Sequence, residues 1–198
     1  MVETTLKNLQ KRGYLPRYFE TKEEAADYLN EQIDGKKVAM GGSVTSQELG
    51  IFESLGKHND VYWHWRLDPA LQRQKEAECD VYICGINAIS QTGEFVNIDG
   101  KGNRITTSAY GDCKVYFIAG TNKLTPDLES AIDRAKNVAA PRNAKRFHLK
   151  TPCATAEVEK CYDCQVEQRI CRMMMVYTWS SSIKNDTEII LIGEELGY

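Results

Sequence analysis

Short apolar runs of strand length alternate along the chain with segments that carry apolar side chains at helical spacing. The predicted strands are residues 37–40, 61–65, 81–84 and 114–119. The predicted helices are residues 22–33, 45–55, 69–79 and 127–138. Because the strands alternate with helices, neighbouring strands are expected to lie parallel, with helices on both faces of the sheet. This alternation predicts an α/β fold built on a doubly wound, mainly parallel sheet.

The alternation stops after Pro141. Residues 142–172 are polar and rich in cysteine, and two apolar runs, 173–179 and 188–192, follow them. A chain of 198 residues with 42% hydrophobic side chains is long enough to bury one sizeable core. We therefore expect a single domain over residues 1–198, which includes the cysteine-rich segment at about 150–172.

Charge and hydropathy argue against two classes of partner. The 25 basic and 28 acidic side chains leave a net charge of −3, and the basic ones form no patch that would neutralise several phosphates. The N-terminus has no apolar stretch of signal-peptide length, and no segment approaches the roughly 18 apolar residues of a membrane helix. We expect a cytoplasmic protein whose partners are neither nucleic acids nor membranes.

A glycine turn within Met40–Glu48 joins the strand at 37–40 to the next helix. Its candidate ligand-binding residues are Gly41, Gly42, Ser43 and Thr45. Glycine permits close approach of the backbone to a ligand, and the free N–H groups at the start of a helix attract anions. A structural interpretation stays open, in which the glycines only shape the turn and a hydroxyl only caps the helix.

A second polar stretch, Cys84–Gly100, begins where a buried strand ends, and in open α/β sheets that edge binds ligands. Its candidate ligand-binding residues are Asn87, Thr92, Gly93, Asn97 and Asp99. Because this stretch and the glycine turn both follow strand ends, we predict that they converge on one pocket for a small acid or a phosphorylated metabolite. Asn and Asp residues near glycine are also ordinary turn formers, which is the alternative.

Four of the seven cysteines fall within 19 residues, separated by seven, two and six residues: Cys153, Cys161, Cys164 and Cys171. Four thiolates suit a zinc ion or an iron–sulfur cluster, and the two central cysteines form a close chelating pair. Their outer spacings match no established signature, so plain reduced thiols are one alternative. Redox-active thiols are another, because the neighbouring Lys160, Arg169 and Arg172 favour thiolates.

The remaining candidates for chemistry are given structural roles. Cys79, Cys84 and Cys113 lie in or beside core elements and are expected to be small buried apolar residues. The aromatic run Tyr62–Trp65 is interpreted as strand packing. None of the three histidines stands beside a nucleophile motif, and Gly-x-Ser-x-Gly is absent, so a hydrolase is not supported.

Several motifs together resemble the lactate-utilization (LUD) domain family. They span nearly the whole chain and comprise Gly41–Thr45, Gly85–Gly102, Ala140–Asn143, Thr151–Cys153 with the cysteines after it, and Leu191–Tyr198. The resemblance implies the fold shared by ribose-5-phosphate isomerase, CoA transferases and 5-formyltetrahydrofolate cyclo-ligase. It also implies a link to the bacterial lactate oxidation systems from which the family takes its name.

The middle block is similar to methylthioribose-phosphate isomerase and to the initiation factor 2B subunits. The matching residues are Gly85, Gly93, Val96, Asn97 and Gly100. Those isomerases carry an aspartate where this chain has Asn87, and an amide cannot act as their general base. CoA transferases use a glutamate nucleophile, but Glu48 and Glu94 stand in no matching motif. The sequence therefore assigns no catalytic residue.

The function implied by the resemblance is that of an accessory component in the oxidation of lactate to pyruvate, with other lactate-oxidation subunits as partners. Its pocket would hold a small anion, and its cysteines would hold an iron–sulfur cluster or zinc. Two alternatives stay open. One is a stand-alone isomerase or transferase that acts on a phosphorylated or CoA-linked metabolite. The other is a catalytically inactive module that senses a metabolite.

Overall fold

The computed structural model describes residues 1–183 and 186–198. Its strands are β1 Leu15–Phe19, β2 Lys37–Met40, β3 Asp60–Trp63, β4 Val81–Gly85, β5 Ala88–Ser90, β6 Phe95–Asp99, β7 Lys114–Gly120, β8 Leu124–Thr125, β9 Met173–Tyr177 and β10 Glu188–Ile192. Its α-helices are α1 Val2–Lys11, α2 Lys22–Gln32, α3 Val44–Glu48, α4 Ile51–Leu55, α5 Pro69–Ala77, α6 Asn103–Tyr110, α7 Leu128–Arg134, α8 Ala140–Arg146 and α9 Pro152–Thr155. Within these described ranges no helix is both long and apolar enough to cross a membrane.

The larger sheet has the strand order β1-β10-β7-β4-β2-β3, and each of its pairings is parallel. The predicted α/β fold with a mainly parallel sheet is therefore confirmed. A smaller sheet of mixed direction has the order β8-β5-β6-β9. It continues from the larger sheet, because β4 runs into β5 through Ile86 and Asn87.

The central strands of the larger sheet are buried on both faces. Side chains of a strand point alternately to opposite faces, so Tyr116 and Ile118 of β7 join one hydrophobic cluster while Val115 and Phe117 join the other. A strand that is covered on both faces has apolar side chains at successive positions. This explains the continuous apolar runs from which the strands were predicted. Burying each such large side chain contributes about 1.5–3 kcal/mol to folding. Cys79 and Cys84 are buried here, whereas Cys113 is half-buried.

Two predicted helices are interrupted. The segment 45–55 forms the separate helices α3 and α4, because Gly50 adopts the left-handed conformation at φ +65° between them. The segment 127–138 begins as α7 and then widens into a π-helical turn over Ala135–Ala139, which continues into α8. Wider turns of this kind often lie beside functional sites, and this one ends at the cavity described next.

Candidate functional site

A cavity of about 210 Å³ opens at the carboxyl ends of β2, β4 and β7, which are neighbours in the larger sheet. Gly42–Thr45 follows β2, Gly85–Asn87 completes and follows β4, and Lys123 follows β7. Residues within 98–104, from the end of β6 to the start of α6, and residues of the helical segment 139–147 form its other walls. The cavity therefore lies at the edge of the sheet where open α/β folds bind ligands.

Part of the predicted ligand-binding set lines this cavity, namely Gly42, Ser43, Thr45, Asn87 and Asp99. Two glycines of the wall leave no room for a side chain. A Cβ on Gly42 would clash with Trp65 Nε1, and a Cβ on Gly85 would lie 2.6 Å from Ser43 Oγ. Ser43 Oγ in turn accepts the N–H of Ser46 at 3.2 Å, which caps α3. Glycine at both positions thus lets the strand ends and the indole ring pack closely around the cavity.

The rest of the predicted set lies behind or away from the wall: Gly41, Thr92, Gly93 and Asn97. A Cβ on Gly41 would lie 2.8 Å from the buried Tyr82 hydroxyl, so this glycine serves packing beneath the cavity. Arg12 Nε donates to the carbonyl oxygen of Thr92 at 2.8 Å, and Gly93 packs against the backbone of Asn8. Thr92 and Gly93 therefore hold α1 against the smaller sheet.

Asn87 and Asn97 form a reciprocal pair that joins the ends of β4 and β6. Asn97 Oδ1 accepts the N–H of Asn87 at 3.0 Å, and Asn87 Oδ1 accepts the N–H of Ile98 at 2.7 Å. Asn97 Nδ2 also donates to the carbonyl oxygen of Gly85 at 3.2 Å. An unpaired buried polar group costs about 1–3 kcal/mol, so these bonds fix the backbone of this wall. Asn97 acts from behind the wall, whereas Asn87 also faces the cavity.

The sequence did not point to Lys123, which is the most unusual residue of the site. It is 3% exposed and lines the cavity, and its Nζ donates to Thr45 Oγ1 at 2.7 Å. Burial, helped by the nearby Arg134 and Arg104, lowers the pKa of Lys123 to about 7. At neutral pH the cavity thus contains a lysine that exchanges readily between its charged and neutral forms.

Two guanidinium groups also line the cavity. Arg146 Nε and Nη2 donate to Asn143 Oδ1 at 3.1 and 2.9 Å, and its guanidinium carbon lies 4.2 Å from the centre of a ring of Trp65. Arg104 Nη2 donates to the carbonyl oxygen of Ile98. A guanidinium group has five N–H donors, more than these contacts use. Both side chains therefore retain donors for an anion.

Asp99 adds a negative charge to the wall, but its oxygens are engaged by the backbone of its own loop. Oδ1 accepts the N–H groups of Gly100 and Lys101 at 2.7 and 3.3 Å, and Oδ2 accepts the N–H of Arg104 at 2.9 Å. The Arg104 Nε atom lies 3.8 Å from Oδ2. Asp99 therefore shapes the loop. Because its oxygens are engaged and the guanidinium groups of Arg104 and Arg146 retain donors, the cavity favours an anionic ligand.

The aromatic run reaches the cavity as well, although the sequence indicated packing alone. Strand β3 ends at Trp63, which is buried in the core. The chain then turns, so that both His64 and Trp65 line the cavity instead of alternating between faces. His64 Nδ1 lies 3.2 Å from Asn103 Nδ2, which holds the ring in place.

A second, smaller cavity of about 20 Å³ is lined by all four clustered cysteines, Cys153, Cys161, Cys164 and Cys171. Its opposite wall comes from the π-helical turn and α8, including Lys136 and Pro141. Arg169 holds the cysteine segment together, because its Nη1 and Nε donate to the carbonyl oxygens of Cys164 and Cys171, both at 2.9 Å. The N–H of Cys161 donates to Asn137 Oδ1 at 2.8 Å. The fold thus brings together the cysteines that the sequence singled out.

These thiols share a cavity without meeting around one point. Among residues 1–183 and 186–198, no three His, Cys, Asp or Glu side chains lie close enough to hold a metal ion. Each of the four cysteines is half-buried. Metal binding therefore stays a prediction, and it requires the segment at 161–171 to tighten around the ion. Ile170 lines both cavities, so the two candidate sites share a wall.

The chain is similar to several solved structures. A DUF162 family protein from Deinococcus radiodurans is 11% identical, with a TM-score of 0.57, and the match covers 97% of this chain and 96% of that one. Ribose 5-phosphate isomerase A from Neisseria gonorrhoeae is 18% identical at a TM-score of 0.37, over 54% of each chain. The eIF2B beta protein of Chaetomium thermophilum is 14% identical at 0.42, over 55% of this chain and 44% of that one.

At 11% identity, the likeness to the DUF162 family protein shows the fold alone. No curated protein sequence matches the chain significantly. The family model of the LUD domain, in contrast, matches residues 2–192. That match spans almost the whole sequence and includes the cavity residues described above, the cysteine segment and both sheets. The chain therefore belongs to the LUD domain family.

Proposed function

We propose that the larger cavity binds a small anionic metabolite, a carboxylate or a phosphate, as part of lactate utilization. The observation that carries this proposal is the pair of guanidinium groups on its wall, those of Arg104 and Arg146, with the amine of Lys123 beside them. The carboxylate on the same wall, Asp99, is engaged by its own loop. A cavity of about 210 Å³ suits a ligand of a few carbon atoms better than a large cofactor.

Membership of the LUD family supports the metabolic assignment. In this proposal the chain is a cytoplasmic accessory component of lactate oxidation to pyruvate, and it works with other subunits of that system. Lactate and pyruvate each carry one carboxylate, which a guanidinium group can bind through two parallel hydrogen bonds. Arg104 and Arg146 are the side chains expected to make those bonds.

The same proposal assigns the four clustered cysteines a structural or electron-transfer metal, either zinc or an iron–sulfur cluster. Their placement on one small cavity, where Arg169 donates to the carbonyl oxygens of Cys164 and Cys171, supports this assignment. Sulfur ligands select these metals over magnesium or calcium. Because Ile170 borders both cavities, metal binding would also order one wall of the anion site.

Growth on lactate tests the metabolic assignment. Deleting the gene for this chain from its host should impair growth on lactate and spare growth on pyruvate. The wild-type gene should restore growth, whereas Arg146→Gln, which removes a cation from the cavity, should restore it poorly. The matched control is Lys57→Gln, because Lys57 is exposed and lies outside the set of residues that line the cavity. Unimpaired growth of the deletion strain on lactate would contradict the assignment.

A further inference from the structure

Lys123 presents a buried primary amine to the cavity. Its side chain is 3% exposed, and its Nζ donates one hydrogen bond, 2.7 Å long, to the hydroxyl of Thr45. None of the ion pairs in the described part of the chain involves Lys123. A buried lysine usually needs a carboxylate partner to stay charged. This arrangement instead resembles that of lysine nucleophiles, which are neutral and desolvated.

The electrostatic surroundings support a neutral amine. Burial, Arg134 and Arg104 lower the pKa of Lys123 to about 7, while Glu48 opposes them. A large fraction of the amine is therefore unprotonated at neutral pH, unlike that of an ordinary lysine with its pKa of 10.5. The unprotonated amine carries the lone pair that attacks a carbonyl carbon.

We propose that Lys123 forms an imine with a small carbonyl compound that carries an anionic group, in the first instance a 2-oxo acid. This inference rests on the anion site proposed above, because Arg104 and Arg146 would hold the carboxylate or phosphate of the compound. The amine, the two guanidinium groups and the glycine turn line one cavity of about 210 Å³, so they can engage a compound of a few carbon atoms at once. When the anionic group is bound, the carbonyl carbon is held close to the amine, so the two react without a separate collision in solution.

The step balances without an oxidant or a reductant. The lone pair of Nζ forms a bond to the carbonyl carbon, and the electron pair of the broken C=O π bond moves to oxygen, which takes up a proton. Nitrogen releases a proton, and the resulting carbinolamine then takes up a second proton and loses water as its C–O bond breaks. The product is a protonated imine, and water is the only by-product. Solvent water exchanges these protons.

Imine formation distinguishes lactate from pyruvate, the substrate and the product of lactate oxidation. Lactate has no carbonyl carbon apart from its carboxylate, so it would occupy the anion site without reacting. Pyruvate has a keto group and would be held covalently. The imine would also withdraw electrons from the neighbouring carbon, which makes removal of a proton from that carbon the class of reaction that Lys123 supports.

Reductive trapping tests the inference. Purified full-length protein is incubated with pyruvate and sodium cyanoborohydride, which converts an imine into a stable amine, and the product is analysed by intact mass and peptide mapping. We expect one adduct per chain, located at Lys123. A parallel arm with dihydroxyacetone phosphate asks whether the anionic group is a carboxylate or a phosphate, and an adduct at Lys123 in either arm supports the inference.

Two variants and one binding measurement complete the design. Lys123→Met, which keeps the length of the side chain, should reduce the adduct to background, whereas Lys57→Met, at an exposed lysine outside the cavity, should not. Calorimetric titration of pyruvate and of dihydroxyacetone phosphate is run alongside. Binding without an adduct at Lys123 overturns the imine and leaves the anion site standing, whereas absence of both overturns both. Because peptide mapping locates the adduct in wild-type protein, the test holds even if Lys123→Met fails to fold.

Discussion

Wild-type protein should gain stability relative to a Lys123→Met variant as the pH rises from about 7 toward 10.5, which are the folded and ordinary pKa values of this lysine. Between these values the unfolded chain binds a proton at Lys123 that the folded chain does not, so a higher pH favours the folded state. The difference in the free energy of unfolding between wild type and the variant should change by up to about 1.4 kcal/mol per pH unit. Below about pH 7 the folded and unfolded states both hold the proton on Lys123. There the stability of wild type relative to Lys123→Met is at its lowest.

Urea unfolding across this pH range measures the effect. The window is set mainly by burial, which lowers the pKa of Lys123; Arg134 and Arg104 lower this pKa further, and Glu48 raises it. The matched control is Lys101→Met, since Lys101 is exposed at the rim of the same cavity and its replacement should preserve the wild-type profile. Parallel profiles for wild type and Lys123→Met would show that the amine is not buried in its neutral form.

Cys161→Ser should remove most of the metal from protein purified without oxygen and loosen the segment at 150–172. Cys161 lines the small cavity with the other three cysteines, and its N–H is anchored to Asn137. Loss of one thiolate from a set of four weakens a structural metal strongly, because binding free energy in such sites is also folding free energy. Metal analysis, absorption spectra and limited proteolysis of the segment measure the outcome.

The control for this variant is Asn87→Ala. Asn87 belongs to the other cavity, so its loss should weaken anion binding and leave the metal in place. A brown protein with iron and labile sulfide would favour electron transfer, and a colourless protein with zinc would favour a structural role. Metal content that is unchanged in Cys161→Ser would rule out the four-thiolate site.

The larger sheet could be predicted because its central strands are covered on both faces. Runs such as Val81–Cys84 and Lys114–Ala119 are continuous and apolar, and helical segments alternate with them. Strand β1 lies at the edge of the sheet and carries Pro16 and Arg17 in a partly exposed run, so its sequence has no comparable signal. The pattern that identifies a strand thus weakens where one side of the strand faces solvent.

The candidate site was predictable only in part, for a related reason. Residues that directly follow strands, such as Ser43 and Asn87, could be assigned to the correct edge from the chain order alone. Lys123 also follows a strand, but burial of a lysine depends on the segments that pack over it, and its local sequence resembles an exposed turn. Thr92 and Gly93 were predicted to bind a ligand, but they lie in the turn that docks α1. Nothing in their local sequence distinguishes such a contact from a ligand contact.

The measurement that tests the central claim most directly is calorimetric titration of the purified protein with phosphate, lactate and pyruvate. We predict saturable binding of at least one of these anions at a single site. Binding should weaken by about one to two orders of magnitude in Arg146→Gln, the range expected for loss of a charged hydrogen bond, and stay near wild type in Lys57→Gln, outside the cavity. Failure of all three anions to bind, or binding that Arg146→Gln leaves unchanged, would contradict a cationic anion-binding cavity.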